Sequence, residues 1–374
     1  MNKTISSNPV RLIAFFLTAI ILACTFGFTV DGWQDLSGDN SDNDKPSNDT
    51  QVDGENSNSQ DTPSEDTPTN TPEVYIPEFT NKITGLEISE EEAKSQKIAL
   101  IIDGNLPLYG ISSADMLCEI PIENEEFRYL AFIPKNNGLW KIGSIAPTRG
   151  YISNIVKFFG AAILSYGSDD MIDYPKCDTT GQHIDLSINK GYHYTENPRG
   201  IYTNQDLLLG AISDSKIALN QNADSPLPFV HREFGQDNLC YTENHAESVV
   251  IESGEYKREF RFDAESKTYS VYKNGEAIKD ALTEELAVFM NCFILFADSV
   301  TYDRTEVNQM VMDTIGSGSG YYITNGSYTE IKWSAASGGI MTFYSQSGEK
   351  LTVNRGKIYL SFVKSSLSDA ISFQ

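Results

Sequence analysis

Hydrophobic and polar positions divide the chain into three textures. Residues 12–30 are almost continuously apolar, behind a basic flank of Lys3 and Arg11. Residues 31–73 are mostly Ser, Asn, Asp, Pro and Thr, with few apolar positions. From about Tyr75 onward short apolar runs alternate with turns, and their periods predict elements. Residues 97–103 read as a buried strand closed by a turn at Gly104-Asn105, and residues 129–133 as a second that stops at Pro134. Ile152, Ile155, Val156 and Phe159 recur at helical spacing within 151–160, and 161–166 return to a buried strand before Gly167-Ser168-Asp169. Strand, helix, strand in that order predicts an α/β lobe. After about Glu247 the texture becomes short strands, clearest at 249–251, 260–262, 269–272, 293–296 and 357–363. Asn274-Gly275, Asn325-Gly326 and Ser347-Gly348 supply hairpin-type turns between them. The expected fold is therefore α+β: an N-terminal α/β lobe over 76–246, then a mainly antiparallel β lobe over 247–374.

The first two textures bear on location. Ile21-Leu22-Ala23-Cys24 resembles a lipobox, in which Cys24 is lipidated and becomes the mature N-terminus. The run stays apolar to Val30, and about 19 residues suffice to span a bilayer uncleaved. Residues 1–30 are thus a signal peptide with a lipobox or a transmembrane anchor, with cleavage and secretion a third reading. The positive flank precedes the apolar run, so each reading exports the C-terminal side. Residues 31–75 follow as an acidic linker. Its Thr-Pro-flanked carboxylate clusters bury too little apolar surface to offset the entropy of ordering, so disorder is expected. Calcium binding and docking to a basic partner are the other readings of this tract. Between 31 and 73 it carries twelve carboxylates against Lys45, out of a net charge of −24 for the chain. That balance argues against nucleic acid as a partner, because phosphates would be repelled.

The remaining residues offer candidate chemistry but no catalytic constellation. Apart from Cys24, the cysteines are Cys118, Cys177, Cys240 and Cys292, with no CxxC pair, so no zinc ribbon or thioredoxin-type site is expected. Cys118 and Cys292 lie in apolar runs and read as core thiols; Cys177 and Cys240 are the candidate disulfide pair. Glu119 and Glu123, with Asp115 upstream, are candidate paired carboxylates. On a continuous strand 119 and 123 would share a face roughly 13 Å apart, too far for a retaining glycosidase pair unless the chain bends. With Arg128 and Arg149 these three acids are candidate ligand contacts or buried structural ion pairs. Asp169, Asp170, Asp173, Asp178 and Asp185 cluster with His183 and His193, but their spacing matches no metal-ligand pattern, and a solvated or turn-capping role is expected. The run Gly316-Ser317-Gly318-Ser319-Gly320 lacks a following Lys-Ser/Thr and reads as a glycine-rich connection between strands, not a phosphate loop. Trp333 with Tyr321, Tyr322 and Tyr344 reads as core packing or as an aromatic platform for sugars. No cofactor and no metal site are expected.

A resemblance runs through the same residues. Ile102-Asp103, Pro107, Gly110, Ala114-Asp115, Glu119, Glu123, Arg128, Ile142-Gly143, Arg149 and Tyr151 resemble the signature of the YerB-like lipoprotein family, bacterial proteins with no established function. Asn291, the 316–320 run, Ile331-Lys332-Trp333, Thr342-Phe343, Gly348 and Asn354-Arg355-Gly356-Lys357 are similar to its second domain, in order. The likeness covers about 80–365. It implies a surface lipoprotein with an α/β and then a β domain, strengthens lipidation of Cys24, and supplies no reaction. Departures are visible. Of the family's two arginines between Ile142 and Tyr151, Ala146 replaces the first and Arg149 remains. Pro198-Arg199-Gly200-Ile201-Tyr202-Thr203 replaces a Pro-His-Asn-hydrophobic-Tyr-Thr segment, and Ser165 stands where histidine is frequent. Loss of those polar groups weakens an enzymatic reading. The expectation is a membrane-tethered, outward-facing binding or scaffold protein of the bacterial envelope. Its partner would be an envelope protein or cell-wall polymer, met through a cleft holding Arg128, Arg149, Glu119 and Glu123. A peptidoglycan or glycan hydrolase or transferase is the alternative.

Overall fold

A computed structural model describes residues 74–374, except 96, 169–181, 197–199, 217–225, 305–306 and 338. The anchor with Cys24, nearly all of the acidic linker, Cys177, the acidic run from Asp169 to Asp178, and Pro198-Arg199 lie outside the described residues. Strands predominate, helices are few, and one large sheet gives the mixed α/β character.

The main sheet is built from β1 (Ile98–Asp103), β2 (Met116–Pro121), β3 (Phe127–Ile133), β4 (Ala162–Ser165) and β5 (His183–Asp185) of the N-terminal half. The sheet-forming strands of the C-terminal half, beyond β6 (Ser248–Ser253), β7 (Tyr256–Asp263) and β8 (Thr268–Lys273), are β9 (Asn291–Ala297), β10 (Gly316–Thr324), β11 (Ser327–Ala335), β12 (Met341–Tyr344) and β13 (Ile358–Lys364). Across the sheet the order is β12-β11-β10-β9-β13-β2-β3-β1-β4-β5. The five C-terminal strands thus lie together on one side and the five N-terminal strands on the other, joined in one continuous sheet. β13 lies between β9 and β2, parallel to both, with Asn291 and Met116 each registered on Ile358. Its first six residues are all buried, as expected for a strand covered on both faces. Without β13, β2 would present an unpaired edge.

Side chains alternate across this sheet and separate two cores. One face carries Ile101, Cys118, Ile120, Leu130, Phe132, Phe293 and Leu360, packed with the helix α1 (Gly150–Phe158). The other carries Leu100, Leu117, Tyr129, Ala131, Ile294 and Tyr359. Onto this second face pack the helix α2 (Gln205–Ser215) and a second, antiparallel sheet in which β8, β7, β6 and the C-terminal strand β14 (Ile371–Phe373) are successive neighbours. Cys118 and Cys292 are buried free thiols, one on each face, while Cys240 is an exposed free thiol.

The helical period at 151–160 is realised as α1, and the apolar runs become β1, β3, β4, β9 and β13 with ends shifted by one or two residues. The turns at Asn274-Gly275 and Asn325-Gly326 hold both residues at positive φ, as two-residue hairpin turns require. One expectation fails. Gly316 to Gly320 is not a connection but the first half of β10, paired to β11 from Gly316 through Thr324. Glycine serves close approach here: a Cβ on Gly320 would stand 2.3 Å from the Ile294 carbonyl oxygen, and one on Gly318 2.5 Å from that of Phe296. Gly320→Ala is expected to destabilise the fold by about 1–3 kcal/mol, as overpacking does, read as a lower urea unfolding midpoint. Unchanged stability would refute the close-approach reading.

Candidate functional site

The candidate residues of the sequence fall on both faces of the main sheet, and strand parity decides which meet. Glu119 is registered on Tyr129, whereas the next residue, Ile120, is registered on Arg128, so Glu119 and Arg128 point to opposite faces. β2 ends at Pro121, and a 3-10 turn follows over Glu123–Glu125 with Asn124 and Glu125 at positive φ. The bend carries Glu123 away from Glu119 and toward Arg149 at the start of α1. The cleft expected to hold all four residues is thus split by the sheet.

On the helix side Arg149, 4% exposed, grips Glu123 with Nη1 on Oε2 and Nη2 on Oε1, each at 2.5 Å. The Met310 amide also donates to Glu123 Oε2, at 3.3 Å. Burial pushes the Glu123 carboxyl up, but these hydrogen bonds and the Arg149 charge outweigh it and bring the group down to about 2. Arg128 Nη1 stands 3.5 Å from Asp103 Oδ1, its neighbour in register across β1 and β3. Asp115 pairs with Lys97 at 2.8 Å.

Glu119 has a partner that sequence reasoning missed. Arg258 reaches from β7 in the second sheet and places Nε 2.9 Å and 2.8 Å from the two Glu119 oxygens, with both residues at most 1% exposed. The hydroxyls of Tyr129 and Tyr359 donate to Glu119 Oε2 at 2.9 Å and 2.7 Å. Both phenols are pushed well above their ordinary value, first by burial and then by the adjacent carboxylate. Arg258 Nη1 donates to the Lys257 carbonyl at 3.1 Å, and the guanidinium lies 4.4 Å from the centre of the Phe127 ring. A signal for Arg258 was present: in β7 it falls in phase with Tyr256 and Phe260, the inward positions of an alternating strand.

Beside this network opens a groove of about 830 Å³, between the loop that follows β1 and the hairpin that follows β8. Leu106, Leu108 and Tyr109 line it from the loop, Lys273 and Ile278 from the hairpin, and Tyr129 also borders it. Lys273 Nζ donates to the Gly104 carbonyl at 3.2 Å. Burial lowers the Lys273 pKa, and the Arg258 charge adds to the effect.

Other candidates resolve locally. Ser165 Oγ is 2.7 Å from the Gly167 carbonyl and 2.7 Å from His183 Nε2. The single hydroxyl proton goes to the carbonyl, so His183 Nε2 must donate and cannot serve Ser165 as a base. Burial lowers the His183 pKa, against the nearby Asp185. Asp185 accepts the amides of Gly167 and Ser187, each at 2.8 Å, which is the turn-capping role. Trp333, 2% exposed, donates Nε1–H to the Phe296 carbonyl, and Tyr322 donates to Asn291 at 2.7 Å, so both belong to the core. Among the described residues no group of three metal-ligating side chains forms, and no helix is long and apolar enough to cross a membrane.

The sequence profile described as protein of unknown function (DUF3048) N-terminal domain matches residues 83–218, and the profile of the corresponding C-terminal domain matches 248–360. The crystal structure of YerB protein from Bacillus subtilis is similar, at 18% identity and a TM-score of 0.66, over 79% of this chain and 99% of that one. The likeness shows a shared fold. No curated protein matches the chain.

Two outcomes test these contacts. Glu119→Gln or Arg258→Met alone leaves a buried group without its counterpart and should cost about 3–5 kcal/mol in chemical denaturation. The combined Glu119→Leu and Arg258→Met chain should lose much less than the two singles added together. The Glu123 carboxyl is lowered on folding, so its contribution is complete above the unfolded value near 4.5 and is lost as pH falls toward about 2. Urea midpoints measured from pH 5 to pH 2 should fall less steeply for Glu123→Gln than for the unaltered chain.

Proposed function

The chain belongs to the two-domain DUF3048, YerB-like family, and on that premise we propose that it is a membrane-tethered, outward-facing binding or scaffold protein of the bacterial cell envelope. The supporting observation is the state of the acids that hydrolysis would call on. Asp115, Glu119 and Glu123 are each committed to a cation: Lys97, Arg258 and Arg149 respectively. A carboxyl held near 2 by its arginine is ionised at neutral pH and has no proton to give as a general acid. Glu119, sealed between two sheets, does not reach a polymer outside. The groove beside Lys273 supplies the binding surface instead, with Leu106, Leu108 and Ile278 set among charged groups such as Lys273 and Glu276.

In this reading the N-terminal segment holds the protein at the membrane through lipidated Cys24 or an uncleaved apolar helix. The acidic tract gives the domain reach, and the groove engages an envelope protein or cell-wall polymer. The function calls for neither cofactor nor metal.

Crosslinking of the full chain in intact cells should recover a specific envelope component, and substitutions that fill the groove should abolish its recovery. Purified peptidoglycan incubated with the protein should release no soluble fragments. Release that disappears in Glu123→Gln would overturn the binding reading in favour of a hydrolase. Mass spectrometry of the mature N-terminus reads the anchor directly, because an unmodified Cys24 in an uncleaved chain rules out lipidation.

A further inference from the structure

One lysine that lines the groove, Lys273, has no carboxylate at ion-pairing distance among the described residues. Arg258 and Lys273 are direct partners in the register of β7 and β8, so their side chains leave the same face of the second sheet from opposed positions. Opposed like charges destabilise an antiparallel pair. Both cations approach the Phe127 ring, Arg258 at 4.4 Å and Lys273 at 5.2 Å from its centre. Only Glu119 answers them at ion-pairing distance among the described residues, and it answers Arg258 alone. Asp103 lies beside Arg128, while Glu119, Asp103 and Glu126 act on Lys273 from farther away. Glu276, opposite Lys273 across the hairpin, is exposed and makes no ion pair with it.

Two further observations mark this place as incomplete. Arg258 Nη2 is buried and has no hydrogen-bond partner, although the rest of the guanidinium is engaged. Lys273 is half-buried and gives one hydrogen bond to a neutral carbonyl, which occupies a donor but does not neutralise the charge. A cation held out of bulk water beside another cation calls for an anion. The groove that Lys273 lines opens at this point.

We propose that the groove captures a carboxylate carried on an apolar body, the chemistry of a peptide C-terminus, with the carboxylate paired to Lys273 and the apolar part lying along Leu106, Leu108 and Ile278. The proposal rests on the binding reading given above and names the ligand chemistry for it. A single negative charge fits better than a phosphate dianion, because Glu276 and Glu284 also border the groove and would repel the larger charge. Capture of a terminal carboxylate is a recurring mode of peptide recognition.

The test uses the full chain in detergent with its lysines reductively methylated in carbon-13, the Lys273 resonance being assigned by its loss in Lys273→Met. N-acetyl-leucine and N-acetyl-Ala-Leu, titrated as free acids, should shift that resonance and raise its titration midpoint. The corresponding amides should not. Hexanoate separates a simple fatty carboxylate from a peptide: a response equal to that of N-acetyl-Ala-Leu would overturn the peptide assignment. Lys273→Met should weaken binding of the free-acid dipeptide by at least about tenfold by calorimetry. Lys332→Met, at an exposed position of β11 outside the groove lining, should leave binding unchanged. Equal binding of acid and amide, or unaltered binding by Lys273→Met, overturns the proposal. If Lys273→Met does not fold, calorimetry of the unaltered chain with free acid against amide decides alone. Failure of every free acid to bind, with an envelope partner still recovered by crosslinking, overturns this ligand chemistry and leaves the binding reading standing.

Discussion

One carboxylate and one guanidinium, both out of water, tie the central sheet to the sheet packed on it. Removing either charge from solvent costs several kcal/mol, and attraction alone rarely offsets this. The offset here is a set of hydrogen bonds: Arg258 Nε to both Glu119 oxygens, and two tyrosine hydroxyls to Oε2. The four groups come from β2, β3, β13 and β7, so the network can close only when the strands of both halves and the second sheet are in register. Its contribution is to specificity of arrangement more than to net stability.

That arrangement also places the groove. Tyr129 belongs both to the network and to the groove lining, and Lys273 stands opposite Arg258 in register. The ion pair thus fixes the distribution of charge at the groove's edge, including a lysine with no carboxylate of its own. On the opposite face the bidentate Glu123–Arg149 pair fastens the turn after β2 to the start of α1. The sheet between the two pairs keeps them from acting as one site.

Much of the secondary structure was legible because burial imposes a period. The helical spacing of Ile152, Ile155 and Val156 marked α1, the continuous apolar run at 98–102 marked a buried strand, and 357–363 marked a short strand. Gly316 to Gly320 misled because glycine signals turns in general, whereas here it allows close approach of a neighbouring backbone. Of the site, Glu119, Glu123, Arg128 and Arg149 were legible as charges that must be paired, since a buried unpaired charge is costly. Arg258 and Lys273 were not found, although their phase with Phe260 and with Val271 marks them as inward-facing. Each sits in a charged stretch that resembles a solvated face.

The sequence by itself determined the family, the alternation of elements and the identity of the core. Each follows from local composition, order or period. It could not determine that the last long strand would join the C-terminal strands to the N-terminal ones, because pairing among β9, β13 and β2 is a contest between strands of similar apolar character. Nor could it choose the partner of Glu119, a residue 139 positions away. Only the tertiary structure decided those, through strand parity and register, which assign every side chain to one face and bring distant charges within hydrogen-bond reach.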